Sequence, residues 1–154
     1  FGVMHGGYVG KMDAVSEGAN RAIKKKEDAN EFWNVGIPMI LFDEDFKRNN
    51  STQIETDNIF DRKRCLVDLC DMVVILPVCG IGTILEALEV FHVNQIAGKF
   101  GGKIKPLIFF GGNWKKLMGD ILKGLNMDNQ STGEEFIYYI DDFKELREIM
   151  KNEK

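Results

Sequence analysis

The run Gly80-Ile81-Gly82-Thr83, with Glu86 three residues further on, is the part of this sequence best suited to chemistry. Two glycines let the main chain turn and let a ligand approach it closely. If a helix opens there, its unsatisfied N–H groups and positive dipole end form a seat for phosphate. Thr83 adds a hydroxyl that either reaches the anion or caps the helix. The plain alternative is a strand-to-helix turn with a threonine cap. Glu86 has a plain alternative too. On spacing alone it fits a capping box with Thr83 or compensation of the helix dipole. Glu89 follows one turn later on the same side.

A second glycine loop, His5-Gly6-Gly7-Tyr8-Val9-Gly10, precedes Lys11 and Met12. It is not a Walker loop, because Gly10-Lys11 is followed by Met12 and His5 occupies the first glycine position. Nor is it the dinucleotide pattern, because Gly6 and Gly7 are adjacent. Two glycine loops without either fingerprint point to a smaller ligand, such as a mononucleotide or sugar phosphate. The cluster Arg62-Lys63-Arg64 begins a predicted helix, where cations oppose the dipole. Such a misplacement is expected either where the charges face an anionic ligand or on a solvated face. His5 is a candidate for ligand contact, whereas His92 reads as structural and Trp33 and Trp114 as packing residues. No Ser-His-Asp order and no metal-ligand spacing stands out.

The elements that must position these residues alternate regularly. Strands are expected at residues 1–4, 37–42, 72–76, 105–110 and 136–140, and helices at 12–25, 59–70, 83–97, 114–123 and 142–152. The first helix carries a stripe of Met12, Val15, Ala19, Ala22 and Ile23. The second is expected to bury Ile59, Leu66, Leu69 and Cys70. Residues 43–57 are polar and Asn-rich and read as a loop. Apolar strands alternating with helices belong to a parallel sheet covered on both faces. The fold class is therefore α/β, a Rossmann-like three-layer α/β/α sandwich with a parallel sheet. In such folds ligands sit at the carboxyl ends of strands, so the loops 5–11, 43–57, 77–83 and 111–113 carry the interest.

At 154 residues the chain has the length of one domain, taken as 1–154. Hydrophobic residues at 44% and charged residues at 29% exclude a disordered chain. A formal charge of −4 provides no basic field to attract phosphate polymers, so neither nucleic acid nor a membrane surface is an expected partner. No apolar run reaches membrane-spanning length. Three cysteines without zinc-ligand spacing suggest a reduced, cytoplasmic setting.

These residues together resemble the LONELY GUY (LOG) family, long labelled "lysine decarboxylase". Its members share a loop of the form G-G-x-x-G-x-M, an Arg-Lys pair and the motif P-G-G-x-G-T-x-x-E. Here Gly6-Gly7-Tyr8-Val9-Gly10-Lys11-Met12 is followed by Arg62-Lys63. Then comes Pro77-Val78-Cys79-Gly80-Ile81-Gly82-Thr83-Ile84-Leu85-Glu86. Lys105-Pro106-Leu107-Ile108 and Tyr139-Ile140-Asp141-Asp142 are similar to the family's final strands. The resemblance runs from Gly6 to about Glu148. In the third motif the P-G-G opening is replaced by Pro77-Val78-Cys79-Gly80, with one residue more and one glycine fewer. Family members also carry a strand and helix before the first glycine loop, so a further segment is expected upstream of Phe1.

The resemblance implies hydrolysis of the N-glycosidic bond of a nucleoside 5′-monophosphate, a cytokinin riboside monophosphate or an ordinary nucleotide. The products would be free base and ribose 5-phosphate. It implies that Glu86 and Arg62 are catalytic and that Gly6, Gly7, Lys63, Gly80, Ile81, Gly82 and Thr83 bind phosphate or substrate. No metal, no organic cofactor and no lysine Schiff base is implied, and a homodimer is expected. The superfamily also holds proteins that bind nucleotides or molybdenum cofactor without hydrolysis, which is the alternative reading.

Overall fold

The computed structural model describes residues 2–25, 33–42, 51–77, 80–125 and 134–152. They fall into two compact units, Phe1–Cys70 and Asp71–Lys154. Both alternate strand and helix with parallel pairing, which is the Rossmann-like α/β class expected from the sequence.

The first unit runs β1 (Gly2–His5), α1 (Lys11–Lys24), β2 (Trp33–Gly36), a 3₁₀ turn (Ile40–Phe42), β3 (Thr52–Gln53) and α2 (Ile59–Asp68). Its sheet has the order β1-β2-β3, with His5 opposite Gly36 and Gly36 opposite Gln53. The strand expected at 37–42 lies earlier. Ile37, Pro38 and Met39 are buried, so the apolar run reported burial correctly. Regular strand structure nonetheless ends at Gly36, two residues before the N–H-less Pro38 interrupts the ladder. Ile37 N still donates to His5 O at 2.8 Å, and Met39 pairs with Thr56 in an isolated parallel bridge. Ile40 and Leu41 then turn out into solvent. The expected loop 43–57 contains β3, a strand too short and polar to show in sequence; residues 43–50 lie outside the described set.

Helix faces needed correction as well. On α1, Met12, Val15, Ala19 and Ile23 are half-buried and Ala22 is exposed, while the fully buried residue is Ser16. On α2, Val67 is the buried residue, and Ile59 and Leu69 are exposed. Those two stand at the helix ends, Ile59 next to the Asn58 cap and Leu69 at the C-cap.

The second unit runs β4 (Val73–Ile75), α3 (Ile81–Phe100), β5 (Leu107–Phe110), α4 (Trp114–Gly124), a 3₁₀ turn (Glu134–Phe136), β6 (Ile137–Ile140) and α5 (Phe143–Asn152). Its sheet order is β4-β5-β6, with Leu107 opposite both Val73 and Ile137. Central β5 buries Leu107, Ile108 and Phe109, as a strand covered on both faces does. Phe109 stacks on Tyr139 at 5.5 Å and meets Trp114 at 5.2 Å. Ala87, Val90, Phe91 and Ala97 of α3 and Met118 and Leu122 of α4 complete this core. Asn94 is buried among them, donating to Lys105 O at 2.7 Å and accepting from Lys105 N at 2.9 Å. Its amide thereby ties α3 to the segment entering β5. α3 stops at Gly101, whose φ of 77° is the left-handed cap that glycine supplies without strain.

Candidate active site

Gly80 is the N-cap of α3, and Ile81 is its first residue. Thr83 therefore stands inside the first turn and does not cap the helix, one of its two readings from sequence; its N–H bonds back to Gly80 O at 3.2 Å. The N–H groups of Ile81 and Gly82 have no intrahelical acceptor by helix geometry. Gly80 has φ −85° and Gly82 is helical, so neither glycine is needed for a left-handed turn. What they supply is space. Among the described residues, and apart from its chain neighbours and the helix backbone, a Cβ on either would meet no atom within 4 Å.

Because α3 starts at Ile81, Glu86 lies in the second turn and the first turn holds no acidic residue. A capping box requires the acid three residues after the cap, so that role is excluded for Glu86. Glu86 is half-buried and shares a helix face with Gly82 one turn before it. Glu89, on the next turn, is also half-buried. Val78 and Cys79, where the loop departs from the family motif, lie outside the described residues.

In the first unit, Arg62 of α2 reaches the first glycine loop. Its Nε donates to Ile37 O at 2.9 Å, one Nη donates to Gly6 O at 3.3 Å, and the guanidinium lies 5.4 Å from the centre of the Tyr8 ring. Tyr8 is itself pinned, its hydroxyl accepting from Met39 N at 2.7 Å. Gly6 is a glycine because a side chain there would overlap Arg62 and come within 2.5 Å of Met12 Sδ. Gly7 has φ +81° and sits against Pro38, with a Cβ position 3.0 Å from Pro38 Cδ. Sequence spacing grouped Arg62, Lys63 and Arg64, but they act separately. Lys63 is half-buried, whereas Arg64 is exposed and pairs with Asp68 one turn on.

His5 was a ligand candidate; its ring is buried and engaged within the protein. Nδ1 accepts from Gly7 N at 3.1 Å, and Nε2 lies 3.1 Å from Asn34 Oδ1. Asn34 Nδ2 in turn donates to Ser16 O, Ser16 Oγ and Asn20 Oδ1 at 3.1, 2.9 and 3.0 Å. Burial pushes the His5 pKa below its ordinary value, against opposing pulls from the Asn34 bond and the Asp13 charge. Asn34 and Ser16 escaped the sequence reading; the available signal was a polar residue inside a strand and another on an apolar helix stripe. Trp33, expected to pack, is exposed, and so is His92. Trp114 packs as expected. Among the described residues no group of three His, Cys, Asp or Glu side chains is placed to hold a metal ion, and no helix is long and apolar enough to cross a membrane.

A family model described as possible lysine decarboxylase matches residues 12–151, nearly the whole chain. The chain belongs to this family, the LOG family. The match takes in α1, the Arg62-Lys63 pair and the Gly80 to Glu86 segment that define the LOG motifs, and it begins just after the first glycine loop. No curated protein matches the chain.

Proposed function

We propose that this LOG-family chain hydrolyses the N-glycosidic bond of a nucleoside 5′-monophosphate and does not decarboxylate lysine. The observation that carries the reading is the position of Glu86, one turn behind the open glycine start of α3 and out of reach of a capping role. In this reading, helix-start N–H groups around Gly80, Ile81, Gly82 and Thr83 receive the phosphate. Cleavage breaks the C1′–N bond, whose electron pair leaves with the base, while water adds to C1′ as the new hydroxyl, keeping one hydrogen, and its other proton passes by way of Glu86 to the base. The transition state carries positive charge on the sugar, as in other glycoside cleavages. Glu86 stabilises that charge and takes a proton from the water. Arg62 assists the departing base or holds the substrate, with Lys63, Gly6 and Gly7 contributing to binding. The reading extends to a cytoplasmic homodimer acting without metal or organic cofactor.

One observation favours a second reading, a non-catalytic binder of nucleotide or molybdenum cofactor. Arg62 already donates to two main-chain carbonyls, a structural task. A panel of nucleoside monophosphates incubated with the chain separates the two. Release of free base and ribose 5-phosphate supports the hydrolase, and tight binding with intact nucleotide supports the binder.

A further inference from the structure

We propose that His5 is a positioning residue whose neutral ring sets the Gly6 and Gly7 backbone and, through the Gly6 carbonyl, the guanidinium of Arg62. Its effect on turnover rests on the reading that Arg62 serves the substrate. Its effect on Arg62 does not.

The hydrogen atoms in this cluster follow from chemistry alone. The Ser16 carbonyl can only accept, so the Asn34 atom bonded to it is the amide nitrogen and the atom facing His5 is the oxygen. Nε2 of His5 must therefore carry a hydrogen to bond that oxygen. Gly7 N–H can only donate, so Nδ1 must present a lone pair. The single tautomer that satisfies both neighbours is the neutral ring protonated at Nε2.

A second proton has only Nδ1 to occupy, and there it would meet the Gly7 N–H head on. Gly7 would have to turn, and it is joined directly to Gly6, whose carbonyl accepts from Arg62 Nη. The surroundings hold the ring in the neutral form. It is buried with Asn34 from β2, and burial outweighs the pull of the Asp13 carboxylate of α1; the Arg62 cation of α2 is bonded to the adjacent Gly6 carbonyl. His5 thus couples the α1–β2 polar network to the loop that carries the Arg62 contact.

Nitrogen-15 NMR of the full chain tests this without reference to activity. At neutral pH, Nδ1 of His5 is expected to resonate as an unprotonated ring nitrogen and Nε2 as a protonated one. On acidification the Gly7 amide and the Arg62 Nη–H signals should shift with the midpoint of His5. An Nδ1-protonated tautomer, or an Arg62 signal indifferent to His5, overturns the proposal. For turnover, His5→Phe keeps ring bulk but removes both bonds, whereas His5→Asn keeps an acceptor near the Nδ1 position. His5→Phe is expected to lower kcat by up to about 10²-fold, as sub-ångström to ångström misplacement of a working group does, with KM changed less. His5→Asn is expected to recover most of that loss; equal loss in both contradicts the proposal. If His5→Phe fails to fold, the Asn variant and the ring spectra decide. If the unmutated chain releases no base at all, the hydrolase reading fails while the Arg62 signal still decides the coupling.

Discussion

Gly6 has no room for a methyl group, because the Arg62 guanidinium fills the volume a Cβ would take. The two residues are 56 positions apart in sequence, yet each accounts for the other: the glycine admits the arginine, and its carbonyl accepts one of the arginine's hydrogens. Gly6→Ala must therefore push Arg62 aside. The expected result is an overpacking cost of about 1–3 kcal/mol, seen as a lower denaturation midpoint, together with loss of base release. Gly18→Ala, in open space within α1, is the control: base release should stay unchanged and stability should rise by about 0.5–1 kcal/mol, the helix preference for Ala over Gly.

Arg62→Lys keeps the charge but offers no planar fork to span the Ile37 and Gly6 carbonyls. Stability is expected to fall by about 1.5–3 kcal/mol, the range for hydrogen bonds to charged groups, read from urea unfolding. Unchanged stability would return Arg62 to a purely substrate-facing role.

Glu86→Gln preserves shape and removes the negative charge. If Glu86 meets the developing cation, turnover drops by about 10²–10³-fold while nucleotide binding and melting temperature stay near the unmutated values. Steady-state base release beside a thermal melt makes the comparison, and full activity in the variant would remove Glu86 from the chemistry.

His5 gives stability a pH dependence with a definite sign. The ring titrates at 6.5 when unfolded and at a lower pH when folded, because burial opposes its charge. Between those two values the unfolded chain binds more protons, so stability falls as pH falls through that window and is unaffected by His5 above it. Melting temperatures recorded on acidification should show the decline, and His5→Asn should lose that share of it.

Asn94→Ala leaves the Lys105 N–H and C=O without the amide that serves both. Each buried group left unsatisfied costs about 1–3 kcal/mol, so the variant should unfold at markedly lower urea. Asn94→Asp keeps the acceptor for Lys105 N but turns a carboxylate oxygen towards Lys105 O, and is expected to be no better.

By itself the sequence determined the alternation of strands and helices, the parallel α/β class, five helices within a few residues, and the motif order that marks the LOG family. Those features are local: apolar period, glycine punctuation and short spacings survive without knowledge of distant neighbours. The tertiary structure alone decided where β2 begins, because Asn34 is a tolerable strand residue only when His5, Ser16 and Asn20 satisfy its amide. It alone found β3, since Thr52 and Gln53 are a strand only because β2 offers them an edge. It also settled the two histidines and two tryptophans, burying His5 and Trp114 and exposing His92 and Trp33. The motif spacing placed Glu86 six residues after Gly80, but whether Thr83 or Gly80 caps α3 is a matter of backbone dihedrals. That one choice moved Glu86 from the first helical turn to the second and removed the capping-box explanation for it. Arg62 differs for the same physical reason. A spacing shows a cation near a helix start, but only the folded chain brings carbonyls from residues 25 and 56 positions away to meet its N–H groups.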